Sequence, residues 1–221
     1  MQGILGGLHI AHKGRLIAFE GIEGAGKSTA AQTTAAWLRA RGIEVVLTRE
    51  PGGVSLGEAL RRLLLDHRGE GLDPLTEALL FAAARRQHVA EKIAPTLAAG
   101  NWVLVDRYVD SSLVYQGLVG GAGLSAVRAI NDLAVGDCRP DVTVLLDLSP
   151  DMALRRMAAD RKRTLSRFDR RSLEFHQAVR EGYLRLAQEA PERFIVVDAA
   201  QPAAEVGAAV VDALGRRFAL M

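Results

Sequence analysis

Cysteine, net charge and long apolar runs are all scarce in this chain, and each scarcity excludes a class of protein. The single cysteine, Cys138, cannot form an internal disulfide, which excludes a disulfide-stabilised secreted scaffold and fits a reducing compartment. No apolar run approaches the ~20 residues that a membrane helix needs. The 28 basic and 26 acidic residues leave a formal net charge of +2, too small for a chain-wide attraction to nucleic acid or membranes. We therefore expect a cytoplasmic protein that binds neither nucleic acid nor membrane.

The length of 221 residues bounds the domain organisation. Residues 1–14 lack the apolar core and cleavage site of a secretory signal, and their glycine and histidine content predicts a disordered leader. The remaining residues 15–221 suffice for a single α/β domain with a well-buried core. Three segments have the composition of mobile regions, namely the loops 66–74 and 117–125 and the arginine-rich stretch 155–171.

Short runs rich in Val, Ile and Leu alternate with longer helical patterns along the chain. Nearly continuous apolar runs are typical of strands that are buried on both faces of a parallel sheet. The predicted strands are residues 15–20, 44–48, 102–106, 142–147 and 194–198. The predicted helices are residues 27–41, 55–66, 74–99, 124–135, 150–160, 170–189 and 202–218. This alternation predicts an α/β fold in three layers, with a five-stranded parallel sheet between helices and ligands at the carboxyl ends of the strands.

The stretch GIEGAGKST, residues 21–29, matches the pattern G-x-x-x-x-G-K-[ST] through Gly21, Gly26, Lys27 and Ser28. The backbone N–H groups of such a loop, the N-terminus of the following helix and the lysine ammonium can together hold the phosphates of a nucleotide. The serine hydroxyl can hold the Mg²⁺ that accompanies a triphosphate. A nucleotide-phosphate site is predicted, although the loop alone does not choose among switches, ATPases, transporters and kinases.

Two further residue pairs point to a ligand site. Asp106 ends a predicted buried strand, where its carboxylate can orient a metal ion or its water. Arg107 follows it, points in another direction and can bind a second anion, although a surface salt bridge is the alternative. Phe81 and Arg85 lie four residues apart on one predicted helix face and could stack on a base and bind its edge. A core phenylalanine beside a surface-reaching arginine is the alternative for this pair.

Together these motifs resemble those of bacterial thymidylate kinases. The matching stretches, in the order and approximate spacing of the family, are FEGIEGAGKST, TREPGG (48–53), LLFAAARRQHV, DRYVDSSLVYQG (106–117) and RFDRRSLEFHQAVREGYLRLA (167–187). The resemblance extends from about residue 15 to residue 215. It implies a P-loop kinase fold with a mobile lid, and transfer of the γ-phosphoryl group of ATP to dTMP to give dTDP. It also implies Mg²⁺ as the cofactor and a homodimeric assembly.

The resemblance assigns a role to each motif. The implied ATP-binding residues are Gly21, Ile22, Glu23, Gly24, Ala25, Gly26, Lys27, Ser28 and Thr29, and the implied metal ligands are Ser28 and Asp106. The implied dTMP-binding residues are Glu23, Arg49, Pro51, Phe81, Arg85, Arg107, Ser111, Ser112, Tyr115 and Gln116.

Within the implied dTMP site, Glu23 faces the sugar 3′-hydroxyl, while Arg49 and Arg107 bind the acceptor phosphate. Pro51 sets a tight turn with a cis peptide bond. Phe81 stacks on thymine while Arg85 reads its edge, and Tyr115 stands where a ribose 2′-hydroxyl would need room.

Residues 155–171 carry eight lysines or arginines against two aspartates. Their composition alone is compatible with a solvated face or with an RNA-binding patch. In the family a lid that closes over ATP lies at about this place, and bacterial members carry a catalytic arginine in it. Because the phosphate loop of this chain contains no arginine, the resemblance assigns that role to Arg163 or Arg167, with Arg161 as a near alternative. The implied catalytic residues are Lys27, Asp106, Arg107, Arg163 and Arg167.

The implied mechanism follows from charge. The second pKa of a phosphate monoester is about 6, so the acceptor is a dianion near pH 7 and needs no strong general base. Asp106 is therefore assigned to metal or water orientation. Cations on both the donor and the acceptor must offset the repulsion between the two nucleotides.

Other functions fit parts of the pattern. A phosphate-loop ATPase switch would need the loop but gives no reason for Phe81, Arg85 and Tyr115. A nucleic-acid-binding module would use residues 155–171 alone and would bind in a strongly salt-dependent way. Other nucleoside monophosphate kinases lack the combination of TREPGG with YQG.

Overall fold

The computed structural model describes residues 14–66, 71–159 and 166–220. Within this part of the chain five strands form one sheet in the order β2-β3-β1-β4-β5, and every pairing is parallel. The strands are β1 (Leu16–Glu20), β2 (Val45–Arg49), β3 (Trp102–Asp106), β4 (Val142–Asp147) and β5 (Phe194–Asp198). The predicted five-stranded parallel sheet is confirmed, and three strands have the predicted bounds.

Helices connect the strands and cover the sheet. They are α1 (Lys27–Arg39), α2 (Ser55–Leu65), α3 (Pro74–His88), α4 (Ala94–Ala98), α5 (Val109–Ser112), α6 (Leu124–Val135), α7 (Pro150–Ala159), α8 (Leu173–Glu189) and α9 (Ala203–Phe218). None of the helices in the described ranges is both long and apolar enough to cross a membrane.

The central strands are buried on both faces, as their continuous apolar sequences require. In β1, Ile17 and Phe19 join a core cluster on one side of the sheet, whereas Leu16 and Ala18 join a second cluster on the other side. This alternation follows from the period of two along a strand. The sheet is therefore the middle of three layers, which confirms the predicted fold class.

Two helical segments differ from the sequence prediction. The helix predicted over 74–99 contains a π-helical turn, Val89–Ile93, between α3 and α4. Pro95 lies at the start of α4 and has no N–H to donate, which accounts for the local widening. The second difference is α5 together with the π-helical segment Leu113–Val119 that continues it, which was not predicted as helix and overlaps the predicted loop 117–125. Its packing against α6 and α8 fixes this helix, and tertiary packing leaves no local sequence pattern.

The predicted leader and lid fall partly outside the described residues. Gly14, assigned to the leader, is buried and donates its backbone N–H to Leu97 O at 3.2 Å, so the ordered chain begins at least one residue earlier than predicted. Residues 1–13 lie outside the described part. Of the predicted lid, residues 155–159 belong to α7, and residues 160–165 are not among those described.

The strand order brings the sequence motifs to one edge of the sheet. Asp106 at the end of β3 is in register with Arg49 of β2 on one side and with Phe19 of β1 on the other. The phosphate loop leaves β1 at the same edge. The carboxyl ends of three neighbouring strands therefore supply the loop, Asp106 with Arg107, and the turn that contains Arg49.

Replacement of Val144 by alanine tests the two-sided core. Val144 of β4 has no exposed surface, so loss of two methyl groups should lower the free energy of unfolding by about 2 kcal/mol. Val196 of β5 is 50% exposed, and Val196→Ala is the matched control, with an expected change of about 0.5 kcal/mol or less. Chemical unfolding followed by circular dichroism measures both variants. Equal losses would contradict the burial of β4.

Candidate nucleotide-binding site

A single cleft of about 1050 Å³ lies at the carboxyl edge of the sheet. It is lined from the phosphate loop, from the turn after β2, from α2 and α3, and from the segment after β3. The predicted binding residues Glu23, Lys27, Arg49, Phe81 and Tyr115 all face it. The cleft therefore joins residues as far apart in the sequence as Glu23 and Asp169.

The phosphate loop has a backbone that glycine makes possible. Gly21, Gly24 and Gly26 all have positive φ angles, and α1 begins directly after the loop. The N-terminus of α1 has no side-chain cap, whereas Asp73 and Ser172 cap α3 and α8. The first N–H groups of α1 are thus left for an anion, as a phosphate site requires.

Lys27 lies across this loop. Its Nζ donates to the backbone oxygens of Gly21 at 3.1 Å and Ile22 at 2.8 Å. Burial, followed by the nearby charge of Arg107, lowers the pKa of Lys27 to about 8. A phosphate bound in the loop would bring a further negative charge close to this ammonium group.

Ser28 and Asp106 form the part of the site that suits a metal ion. The Ser28 hydroxyl donates to Asp106 Oδ2 at 2.5 Å. In the described ranges there is no cluster of three or more His, Cys, Asp or Glu residues that could hold a metal ion unaided. Mg²⁺ usually keeps several waters and binds substrate phosphates with only one or two protein oxygens, so this pair of oxygen ligands fits it.

Arg107 is held in a fixed position beside the loop. It is a non-glycine residue with a φ of 68°, and its side chain is only 18% exposed. Nη2 donates to Glu23 Oε1 at 2.8 Å, while Nη1 donates to Ser111 Oγ at 3.1 Å and Tyr183 Oη at 3.2 Å. The guanidinium group also lies over the ring of Tyr115, 5.1 Å from its centroid. Arg107 is thus oriented by contacts on several sides.

Glu23 links the loop to this arginine. Tyr115 Oη donates to Glu23 Oε2 at 2.7 Å, and His176 Nδ1 lies 3.7 Å from the same oxygen. Burial favours the neutral acid, but Arg107, Lys27 and the Tyr115 hydrogen bond outweigh it and lower the pKa of Glu23. The side chain therefore stands as a charged acceptor at the floor of the cleft.

Arg49 and Pro51 shape the wall opposite. The Glu50–Pro51 peptide bond is cis, as the resemblance implied. Arg49 Nη2 contacts both carboxylate oxygens of Glu58 at 2.9 Å. Arg61 of α2, which the sequence reasoning missed, donates to Pro51 O at 2.8 Å and also lines the cleft.

Arg61 adds a second cation to this wall beside Arg49. Burial lowers the pKa of Arg61, and the like charge of Arg49 lowers it further. Its place in the site depends on how α2 crosses the turn after β2, so no spacing in the sequence could have revealed it.

Arg85 is more deeply engaged in the protein than the sequence suggested. It is 2% exposed, and its Nε donates to Glu50 Oε2 at 2.7 Å. Nη1 donates to Ser112 Oγ at 3.1 Å and to Asn131 Oδ1, while Nη2 donates to Tyr108 O at 2.9 Å and to Ser112 Oγ at 3.1 Å. All five N–H donors therefore have protein acceptors.

Arg85 nevertheless lines the cleft, and its contact with a base edge stays a prediction. The Arg85 side chain joins α3 to the β2 turn, to α5 and to α6. Phe81 is only half-buried and lines the cleft, with its ring centroid 6.4 Å from that of Phe168. The core alternative for Phe81 does not hold.

Of the three candidate lid arginines, only Arg167 lies among the described residues. Arg167 Nε donates to Leu64 O at 2.6 Å, and Nη2 pairs with Glu77 of α3. This ion pair directs Arg167 towards α2 and α3, and its catalytic role stays a prediction. Arg161 and Arg163 lie outside the described residues. Gln116, predicted to line the pocket, donates to the other oxygen of Glu77 at 2.8 Å and does line the cleft.

Glu20 is a further residue that sequence reasoning missed. It ends β1 with none of its surface exposed. Burial raises the pKa of Glu20 and Asp110 adds to this effect, whereas Arg107 and the hydrogen bonds from Ser111 and Tyr108 act in the opposite direction. A carboxylate at the end of a fully buried apolar strand was the available signal, because buried acids are rare unless they are paired.

Comparison with known proteins places this site in a family. The family model described as thymidylate kinase matches residues 19–210. A thymidylate kinase of a Geobacillus species is 46% identical over 202 residues, which cover 91% of this chain and 96% of the relative. The thymidylate kinase of Desulfovibrio desulfuricans is 50% identical over 196 residues, covering 86% of this chain and 90% of the relative.

A solved structure agrees with both relatives. The crystal structure of the thymidylate kinase from Ehrlichia chaffeensis matches with a TM-score of 0.72 and 34% sequence identity, covering 91% of this chain and 98% of that chain. The residues that the family model matches include the phosphate loop and the motifs that line the cleft. This chain belongs to the thymidylate kinase family.

Proposed function

We propose that this chain carries out the reaction of its family, the phosphorylation of dTMP to dTDP, with ATP as the donor and Mg²⁺ as the cofactor. One observation carries the proposal: the phosphate loop and Arg107 share a single cleft, bridged by Glu23. A phosphate-loop switch needs one anion site, whereas phosphoryl transfer between two nucleotides needs two that adjoin.

The acceptor side of the cleft is cationic. Arg49, Arg61 and Arg107 line it from β2, α2 and the turn after β3. We assign Arg49 and Arg107 to the acceptor phosphate, because planar guanidinium groups bind phosphate oxygens in pairs. The acceptor is already a dianion near pH 7, so these residues bind and orient it without removing a proton.

The donor side is the phosphate loop. Its N–H groups and Lys27 would bind the phosphates of ATP, while Ser28 and Asp106 would hold Mg²⁺. When bound, the metal ion neutralises charge on the phosphate oxygens. The loop, Lys27 and Arg107 would then hold both reactants in line, and we assign further charge stabilisation to a lid arginine, for which we retain Arg163.

The nucleoside part of dTMP is assigned to the rest of the cleft. The half-buried ring of Phe81 is assigned to thymine, and Glu23 offers a charged acceptor for the sugar 3′-hydroxyl. Tyr115 is fixed by its hydrogen bond to Glu23 and occupies space that a ribose 2′-hydroxyl would need. The remaining predicted pocket residues are Arg85, assigned to the base edge, and Ser111, Ser112 and Gln116, and all four line the cleft.

We also propose the homodimer that the resemblance implied. Helices α2 and α3 pack against each other and expose several large apolar side chains, namely Leu56, Leu63, Leu75 and Leu79. Leucines grouped on neighbouring helices are typical of a surface that another protein covers.

A coupled assay with a panel of nucleoside monophosphates tests the function. With ATP and Mg²⁺, turnover should be highest with dTMP and measurable with dUMP, because one methyl group discriminates by only about 1 to 3 kcal/mol. Chelation of Mg²⁺ should abolish turnover. ATP hydrolysis of the same rate with and without dTMP would contradict the proposal and favour an ATPase switch.

Arginine variants separate the acceptor side from the donor side. Arg107→Ala should lower kcat/KM for dTMP by about 100-fold or more with little change in the KM for ATP, because acceptor charge stabilisation is lost. Arg163→Ala should instead lower kcat by about 1000-fold, since a lid arginine acts on transition-state charge.

Two matched controls accompany these variants. Arg139 is 65% exposed in a surface ion pair, and Arg139→Ala should leave both constants unchanged. Arg167→Ala should spare kcat, because Arg167 pairs with Glu77. An Arg167→Ala loss as large as that of Arg163→Ala would return the catalytic role to Arg167.

Sedimentation velocity at micromolar concentration tests the dimer. Leu79 on α3 is 51% exposed, so Leu79→Glu should shift the protein to a monomer if α3 contributes to the interface. Leu173 at the start of α8 is 43% exposed, and Leu173→Glu is the control that should leave the sedimentation coefficient unchanged. A monomeric wild-type chain would refute the proposed assembly.

A further inference from the structure

We propose that Glu20 is a positioning residue for the acceptor phosphate, which acts by orienting the hydroxyl groups of Ser111 and Tyr183 so that both accept N–H groups of Arg107. The inference rests on the proposed function, in which Arg107 binds that phosphate. Glu20 itself does not line the cleft, so it acts only through these neighbours.

Four hydrogen-bond donors surround the Glu20 carboxylate. Oε1 accepts the backbone N–H groups of Tyr108 at 2.7 Å and Ser111 at 3.1 Å. Oε2 accepts the hydroxyl groups of Ser111 at 2.6 Å and Tyr183 at 2.8 Å. A carboxylate has only acceptor sites, so it satisfies all four donors without reorientation.

The hydroxyl protons of Ser111 and Tyr183 decide whether these oxygens can accept from Arg107. Arg107 Nη1 donates to the same two hydroxyl oxygens, and a guanidinium group can only donate. Each hydroxyl has one proton. When that proton points to Glu20, the oxygen lone pairs are left to accept from Arg107. The Ser111 and Tyr183 oxygens lie 2.8 Å apart, and neither hydroxyl then has to donate to the other. The negative charge of Glu20 therefore makes both hydroxyls acceptors towards the arginine.

Glu20 also binds the backbone next to Arg107. Arg107 has a φ of 68°, in the left-handed region that disfavours side chains with a Cβ. Glu20 Oε1 accepts the N–H group of Tyr108, which directly follows Arg107, and that of Ser111 in α5. The same carboxylate thus holds the backbone that follows Arg107 and, through the two hydroxyls, its guanidinium group.

Glutamine in place of Glu20 would keep the size of the side chain and reverse this pattern. Its carbonyl oxygen can still accept the two backbone N–H groups. Its amide N–H groups would then face the two hydroxyls, so that the hydroxyl protons turn towards Arg107. The guanidinium group would lose two acceptors on the Nη1 side and keep Glu23 on the Nη2 side.

Binding of dTMP and of thymidine to Glu20→Gln, measured by titration calorimetry, tests the inference. Thymidine lacks the phosphate, so it reports on the nucleoside pocket alone. The variant should bind dTMP about tenfold more weakly and thymidine with unchanged affinity, because only phosphate contacts are lost. In steady-state assays the KM for dTMP should rise while the KM for ATP stays the same.

Equal weakening of both ligands would overturn the inference, because it would show general damage to the pocket. Unchanged binding of dTMP would overturn it too, since a neutral amide at position 20 would then hold Arg107 as well as the carboxylate does. Failure of the wild-type chain to bind or phosphorylate dTMP would refute the proposed function instead, so the two failures are distinguishable.

Tyr183→Phe provides an independent variant. It removes one of the two hydroxyl acceptors, so dTMP binding should weaken by about threefold while thymidine binding is unchanged. In the Glu20→Gln background the same substitution should cost less, because the hydroxyl no longer supports Arg107. Additive effects in this double-mutant cycle would overturn the relay through Tyr183. Should Glu20→Gln fail to fold, the comparison of dTMP with thymidine in Tyr183→Phe decides alone, and equal losses there would refute the inference.

Discussion

Repulsion between two phosphorylated nucleotides is the constraint on which the rest of this structure depends. Donor and acceptor can meet only where cations face both, and those cations need fixed positions to favour the transition state. Parallel strands solve the problem of placement, because β1, β2 and β3 end at one edge and each supplies one part of the site. The sheet thus converts three distant motifs into a single cationic cleft.

The same constraint explains why so many charged side chains are buried. Glu20, Glu23, Lys27, Glu50 and Arg85 are all nearly inaccessible, and each has oppositely charged or hydrogen-bonding partners. Isolated charges would be costly to bury, whereas networks offset much of that cost and fix geometry. Arg85 and Glu50 are an example, since both line the cleft and their ion pair ties α3 to the turn that follows Arg49.

Local sequence patterns were sufficient for the fold and for the residues of the phosphate loop. The strands 102–106, 142–147 and 194–198 were predicted with their observed bounds, because runs of Val, Ile and Leu carry their own signal. Contacts between residues that are distant in the sequence leave no such local signal. The five hydrogen bonds of Arg85, the approach of Arg61 to the cis turn and the pairing of Arg167 with Glu77 all arise from helix packing. The helical segment that begins at Val109 was missed for the same reason.

The strand order also bears on how the chain matures during synthesis. In the sheet, β1 pairs only with β3 and β4, and β2 pairs only with β3. A nascent chain that has emerged only as far as α3 therefore holds two apolar strands with no strand to join. The sheet edge that joins the phosphate loop to Arg49 can therefore form only after Trp102–Asp106 has been translated, because this strand lies between β1 and β2.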